Sequence, residues 1–224
     1  MSAGDRKKTA CVTGGNGYIA SALIKVLLEN GFSSAPFHAL KDRNALSVSQ
    51  AYPVSKVLLE KAASRFAAEH GISLVTVCPV VTVGTAPARS ARPSVLNCLS
   101  LLSGDEAAFG ALRAMELSGM LALVHVEDLC RAELFVAEEA AAAGRYLCCG
   151  LNTTILEHAR FLTEKYPQYT VKTNLLSGEL LEKPRVSLVR EAGRGRVRLQ
   201  VQDAGWDVRR HDRLRQDLGV LPKL

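Results

Sequence analysis

The sequence has no apolar run near the roughly 18 residues that a membrane-spanning helix needs, so no span is expected. It also lacks a signal-peptide core. MSAGDRKKTACVTGG carries basic residues and then leads directly into strand-like sequence. None of its six cysteines forms a CxxC pair, and most sit in apolar runs. That pattern predicts buried, reduced thiols and a cytoplasmic protein. There is no internal repeat and no His/Cys/Asp cluster with metal-ligand spacing. His125 stands near Glu127 and Asp128, but three such residues without converging partners do not make a metal site. No serine, histidine and acid stand in a nucleophilic triad order. Aromatic residues make up 5% of the chain, and the single tryptophan, Trp206, stands alone among charges. A base-stacking platform is therefore absent and no nucleic-acid role is expected.

What is present is a chain of 224 residues, 48% of them apolar, with a net charge of +6. That length can bury one sizeable core with a small second lobe. The positive charge is local. Residues 185–215 hold nine arginines against four acids, which leaves the rest close to neutral. This tail lacks a stable apolar face and reads as poorly packed, with one weak alternating piece at Val197–Val201.

Along the chain, strand-like and helix-like patterns alternate. Residues 9–14 read as a short buried strand, and 18–30 as a helix ending at Gly31. Residues 32–50 show no clear period and read as loop, with no second strand evident. Residues 52–70 form a helix whose Val54, Val57, Leu58, Ala62 and Phe66 are expected to face a sheet. ISLVTVCPVV, residues 72–81, reads as a buried strand leaving at Pro79. A loop at 85–93, a short helix at 94–103 and a turn opening 103–110 follow. Strands at 120–126 and 145–149, and helices at 127–139 and from about Thr153 to Lys165, complete the pattern, with Thr153 or Thr154 as cap. Such alternation argues for a parallel sheet with helices on its faces.

Two motifs carry chemistry. The first is Thr13-Gly14-Gly15-Asn16-Gly17-Tyr18-Ile19-Ala20, set between a strand and an amphipathic helix. Glycines there allow a sharp turn and let a pyrophosphate approach the backbone at a helix N-terminus, and Ala20 allows close helix–strand packing. The second is Tyr52 with Lys56, one helical turn apart on the same face. A nearby ammonium favours the phenolate, so Tyr52 can serve as a proton donor while hydride arrives at a carbon. Ser55 reads as helix surface. Lys41 and Arg43 rank as surface charges, so spacing alone does not select NADP over NAD.

KKTACVTGGNGYIASALIKVLLENGF, YPVSKVLLEKAASRFAAEHGISLVTVCPVVTVG, LVHVEDLCRAELFVAE and RYLCCGLNTTILEHARFLTEKYP together resemble the extended short-chain dehydrogenase/reductase family. More narrowly, they resemble its plant anthocyanidin reductase and dihydroflavonol reductase group. The resemblance spans roughly residues 7–31 and 50–188. It implies an α/β fold: a truncated Rossmann-like parallel sheet with flanking helices and a small C-terminal remnant of a substrate lobe. On that basis the chain divides into a dinucleotide-binding region at 7–84, the remainder of the reductase fold at 85–188, and the tail at 189–224.

The resemblance further implies NADP(H) as cofactor and a flavonoid substrate, with hydride transfer to an anthocyanidin giving a flavan-3-ol. It assigns dinucleotide binding to Thr13, Gly14, Gly15, Gly17, Tyr18, Ile19 and Ala20. Tyr52 becomes the proton donor, Lys56 the residue on the nicotinamide ribose, and Pro79, Val80 and Val81 the strand exit beside the nicotinamide. The family has several more strands and helices between its first helix and its tyrosine helix, including a cofactor-selecting arginine and a serine beside the tyrosine. Residues 32–50 cannot hold them, and Ser47 and Ser49 do not inherit the serine's role. After Leu188 the sequence leaves the family pattern and reads as out-of-frame or alternatively spliced. A second expectation therefore stands beside the reductase: a catalytically inactive truncated homologue that binds a partner. Sheet edges left bare by the missing strands predict self-association.

Overall fold

A computed structural model describes residues 8–37, 48–87, 93–118 and 121–171. The tail, Lys41, Arg43, Ser47 and Trp206 lie outside the described residues. In chain order the elements are β1 (Thr9–Thr13), α1 (Tyr18–Glu29), β2 (Ser33–Phe37), α2 (Val48–His70), β3 (Val75–Pro79), β4 (Val81–Val83), α3 (Pro93–Ser103), α4 (Glu106–Leu117), β5 (Leu121–His125), α5 (Val126–Glu138), β6 (Gly144–Cys148), β7 (Leu151–Thr153) and α6 (Ile155–Lys165). The alternation produces a Rossmann-like α/β fold with flanking helices, as its sequence pattern predicts.

The sheet is divided. Among the described residues, β1 pairs only with β2, parallel, from Thr9↔Ser33 to Thr13↔Phe37. β3 pairs with β6, also parallel, and β5 lies between a parallel β4 and an antiparallel β7. The run at 72–81 does not form one strand. Pro79 has no N–H to extend the ladder, so the chain leaves β6 there. Val80 N–H still donates to the Cys148 carbonyl at 3.1 Å, and β4 then takes up β5 as its partner.

Among the described residues no hydrogen-bonded strand joins β1 to β3. Helices bridge the two halves instead. α1 packs on α5, burying Ala22, Val26 and Leu27 with Val12, Val126, Cys130 and Leu134. Lys8 Nζ meets Glu138 Oε1 at 2.5 Å across the same seam. The larger core lies under β4 and β5, where Leu101, Leu112, Leu123, Ile155 and Leu162 from α3, α4, β5 and α6 interlock. Every residue of β5 is buried there.

Several expectations are corrected. The 32–50 stretch is not all loop. A second strand exists at Ser33–Phe37 because β1 offers a parallel edge, and Pro36 is tolerated on such an edge position. The β1 strand is not buried as a whole: only Val12 is, because one face has no cover. β3 is only half-buried for a related reason, and its far edge has no strand partner among the described residues.

The α2 residues Val54, Val57, Leu58, Ala62 and Phe66 do not face a sheet. All five are exposed, and α2 buries Ala67 alone among the residues whose side chains are described. Among the described residues no strand packs against them. That helix also begins earlier than expected, which places Pro53 inside it. The turn at 103–110 opens helix α4, where Asp105 accepts from the Ala108 N–H at 3.0 Å, and β7 had no sequence signal. Cys11 is exposed, whereas Cys98 and Cys130 are buried as expected. All six cysteines are free.

Candidate functional site

β1 ends at Thr13 and the chain turns at Gly14, whose φ of +69° favours glycine. Gly17 N–H donates to the Gly14 carbonyl at 2.7 Å and closes the turn. Gly17 is also the N-cap of α1, in extended conformation, and no side chain caps that helix. A Cβ on Gly17 would lie 3.0 Å from the Gly14 oxygen. Thr13 and Gly14 are exposed, while Gly15, Gly17, Tyr18, Ile19 and Ala20 are half-buried. The result is an open glycine turn at a helix N-terminus, with backbone close to the surface. This is a geometry suited to a phosphate.

The turn is tied to the strand exit. The Tyr18 hydroxyl donates to the Gly84 carbonyl at 2.5 Å, and Cys130 Sγ approaches the Ile19 carbonyl at 3.8 Å. Gly84 follows β4 directly, so this bond ties the turn to the C-terminal end of β4. Sequence reasoning missed Gly84 and weighed its neighbour His125 only as a metal ligand. Their signal was available: a glycine directly after a strand, and a histidine directly before a helix. His125 is buried, and its Nδ1 accepts the Glu127 N–H at 3.2 Å to cap α5. This places it in a structural role.

Tyr52 and Lys56 do rise together on α2. The Lys56 Nζ lies 5.1 Å from the centroid of the Tyr52 ring, a cation–π distance. The Ser55 hydroxyl donates back to the Tyr52 carbonyl at 2.7 Å, on the helix surface as expected. Tyr52 is 57% exposed, and Lys56 is also exposed. No hydrogen bond joins the Tyr52 phenol to the turn or to the strand exit among the described residues. The two motifs are thus each formed, and the Tyr18 hydrogen bond ties the turn to Gly84 at the end of β4 and not to Tyr52.

The thiols near α5 are held protonated. Burial pushes Cys130 up to about 12, with Glu133, Glu127 and Cys148 adding to it, and pushes Cys148 up to about 11. Cys98 is pushed to about 12 by burial alone. These are packing cysteines, not nucleophiles. Burial also holds His158 below its ordinary value, and its Nε2 lies 2.7 Å from the Cys98 carbonyl. Among the described residues no group of three or more His, Cys, Asp or Glu could hold a metal ion, and no helix is long and apolar enough to cross a membrane.

The fold is Rossmann-like. Vestitone reductase from alfalfa superposes with a TM-score of 0.61 over 80% of this chain and 88% of that one, at 21% identity. A second solved structure, SsCR_L211H, superposes with a TM-score of 0.52 over 72% of this chain and 85% of that one, at 14% identity. Such low identities speak to fold alone. No family model matches the chain.

By sequence the chain is homologous to plant anthocyanidin and dihydroflavonol reductases. It is 48% identical over 124 residues to a putative anthocyanidin reductase of Ginkgo biloba, 55% of this chain and 36% of that protein. It is 45% identical over 124 residues to the (2S)-flavan-3-ol-forming anthocyanidin reductase of Vitis vinifera, and 42% identical over 120 residues to dihydroflavonol 4-reductase of Zea mays. The chain thus spans about a third of the length of these relatives.

Proposed function

We propose that this chain binds NADP(H) through its glycine turn and descends from reductases that act on flavonoid intermediates. The observation that carries the proposal is the turn itself: Gly14 at positive φ, Gly17 as the N-cap of α1, and no side-chain hydrogen bond capping that helix. A pyrophosphate fits such a cradle because backbone N–H groups and the helix dipole both favour an anion there. Thr13 to Ala20 would hold that group, and Pro79, Val80 and Val81 would lie beside the nicotinamide.

The cofactor, when bound, supplies a hydride. Tyr52 would hold the proton delivered to the substrate oxygen, and Lys56 would favour the phenolate left behind and contact the ribose. An anthocyanidin reduced to a flavan-3-ol is the substrate class suggested by the named relatives. Thermal unfolding with and without excess NADPH tests the binding, since a ligand of the folded state raises the midpoint. An unchanged midpoint at millimolar NADPH would remove the proposal.

A second reading has its own observation. Tyr52 is more than half exposed, and Lys56 Nζ lies over its ring, not against its hydroxyl. A proton donor must be held within hydrogen-bond reach of the reacting oxygen. A chain that binds NADP(H) but does not turn it over satisfies that geometry. NADPH oxidation in the presence of an anthocyanidin separates the two readings.

A further inference from the structure

The two pieces of the candidate cofactor site lie on opposite halves of the fold. The glycine turn belongs to β1, α1 and β2, and Pro79, Val80 and Val81 belong to the strands from β3 onward. Among the described residues no strand pairing crosses between these halves. A dinucleotide has a fixed length, so both of its ends are held only where the halves keep a fixed spacing.

The contacts along the seam differ in kind. The packing of α1 on α5 is apolar, and hydrophobic burial has no direction, so it resists separation more than sliding. Lys8 and Glu138 are exposed, and an exposed ion pair contributes little to position. The Cys130 thiol, 3.8 Å from the Ile19 carbonyl, is a weak donor. The Tyr18 hydroxyl is different. It donates to the Gly84 carbonyl at 2.5 Å in a part-buried setting, and it joins the first residue of α1 to the residue that follows β4.

We infer, on the cofactor reading proposed above, that Tyr18 is a positioning residue whose hydroxyl sets the spacing between the glycine turn and the strand exit. Its acceptor is itself fixed. Gly84 has φ +111°, and a Cβ there would lie 2.6 Å from Cδ2 of the buried His125 ring. A glycine therefore lets this carbonyl stand against that ring. His125 ends β5, which pairs with β4 from Val81↔Leu123 to Val83↔His125, and its Nδ1 accepts the Glu127 N–H. The carbonyl that Tyr18 reaches is thus fixed to the strand that begins at Val81. The donor end needs such a hold. Gly17 caps α1 without a side-chain hydrogen bond, and helix ends fray. With its hydroxyl engaged by Gly84, Tyr18 acts on the cofactor through the backbone on either side.

The test is titration calorimetry of the full chain with NADPH and with 2′-phospho-ADP-ribose, the same molecule without its nicotinamide. Both ligands occupy the turn, and only NADPH reaches the strand exit. Tyr18→Phe keeps the ring and removes one oxygen, and circular dichroism verifies its fold. The expected result is a natural chain that prefers NADPH, and a variant that loses about fivefold of that preference, the worth of one hydrogen bond. The variant's affinity for the nicotinamide-free ligand should be unchanged. Cys130→Ala weakens the same seam without touching the Tyr18 bond, and should keep the natural preference. Equal losses for both ligands in Tyr18→Phe overturn the inference, since they mark a merely structural role. So does an unchanged preference, or a Cys130→Ala chain that loses it as well. A Tyr18→Phe chain that does not fold also overturns it, because the bond would then hold the fold and not the spacing. A natural chain that binds neither ligand overturns the cofactor reading and the inference with it.

Discussion

Glu60 on α2 and Arg145 on β6 form a two-pronged ion pair, with Arg145 Nε donating to Oε1 at 2.7 Å and Nη2 to Oε2 at 2.6 Å. It is the one side-chain pair, among the described residues, that fastens α2 to the sheet. Glu60 favours the charged Arg145, first through the hydrogen bond and then through its charge. The Glu60 side chain is 23% exposed and Arg145 60%. A bidentate pair fixes orientation better than a lysine could, so the helix carrying Tyr52 and Lys56 takes its bearing from this contact.

Arg145→Lys should therefore loosen α2 with little loss of global stability. The expected result is faster amide hydrogen exchange along residues 52–70, by about tenfold or less, as suits a screened surface pair. Exchange in β5 should be unaffected. Raising salt should reproduce the effect in the natural chain and add nothing to the variant. Equal exchange in both proteins would mean that α2 is held by Ala67 packing alone.

Much of the architecture was legible because periodicity and punctuation agreed. Gly31 and Gly71 stand just past α1 and α2, and Thr154 accepts the Glu157 N–H at 3.0 Å as the expected cap of α6. The glycine turn was legible because strand, glycines and helix follow one another within a dozen residues. What failed depended on partners far along the chain. SSAPF has no strand signal of its own and forms β2 only because β1 offers an edge. The apolar residues of α2 promise burial, but burial needs a surface to meet them, and sequence does not say whether one is there. The Glu60–Arg145 pair joins residues 85 apart and had no local signature at all.

Tyr52→Phe separates binding from chemistry. The phenol makes no hydrogen bond to the turn, so NADPH affinity, read as the thermal shift, should match the natural chain. If the natural chain oxidises NADPH with an anthocyanidin, the variant should lose about 10²-fold or more in kcat, the usual worth of a positioned proton donor. A natural chain with no turnover, alongside an intact NADPH shift, selects the non-catalytic reading.

Gly84→Ala should be costly. Gly84 has φ +111°, and a Cβ there would overlap Nε2 of the His125 ring and lie 2.6 Å from its Cδ2. That ring cannot easily retreat, because its Nδ1 caps α5 and it is buried. Overpacking together with the unfavourable φ should destabilise by about 3 kcal/mol, and lower Tm by roughly 10 °C. His125→Asn keeps a capping side chain but is smaller. The double variant G84A/H125N should recover part of the loss, and the recovered part measures the steric contribution.

Glu133 gives the stability a pH dependence. It is half-buried on α5, its Oε2 has no hydrogen-bond partner among the described residues, and burial pushes its carboxyl up to about 7. Its charge in turn raises the Cys130 and Cys148 thiols, which lie on α5 and β6. A carboxyl whose folded value is raised binds its proton more tightly in the folded state. Its stabilising contribution is complete below the ordinary carboxylate range and is lost as pH rises through about 7. Glu133→Gln keeps the shape and removes the ionisation. Urea unfolding should then show the two proteins matched near pH 4, with the variant ahead by about 2 kcal/mol at pH 8.5. The gap should open mainly between pH 5 and 7.5. A constant difference at all pH values would mean that packing around the side chain, and not its charge, sets the effect.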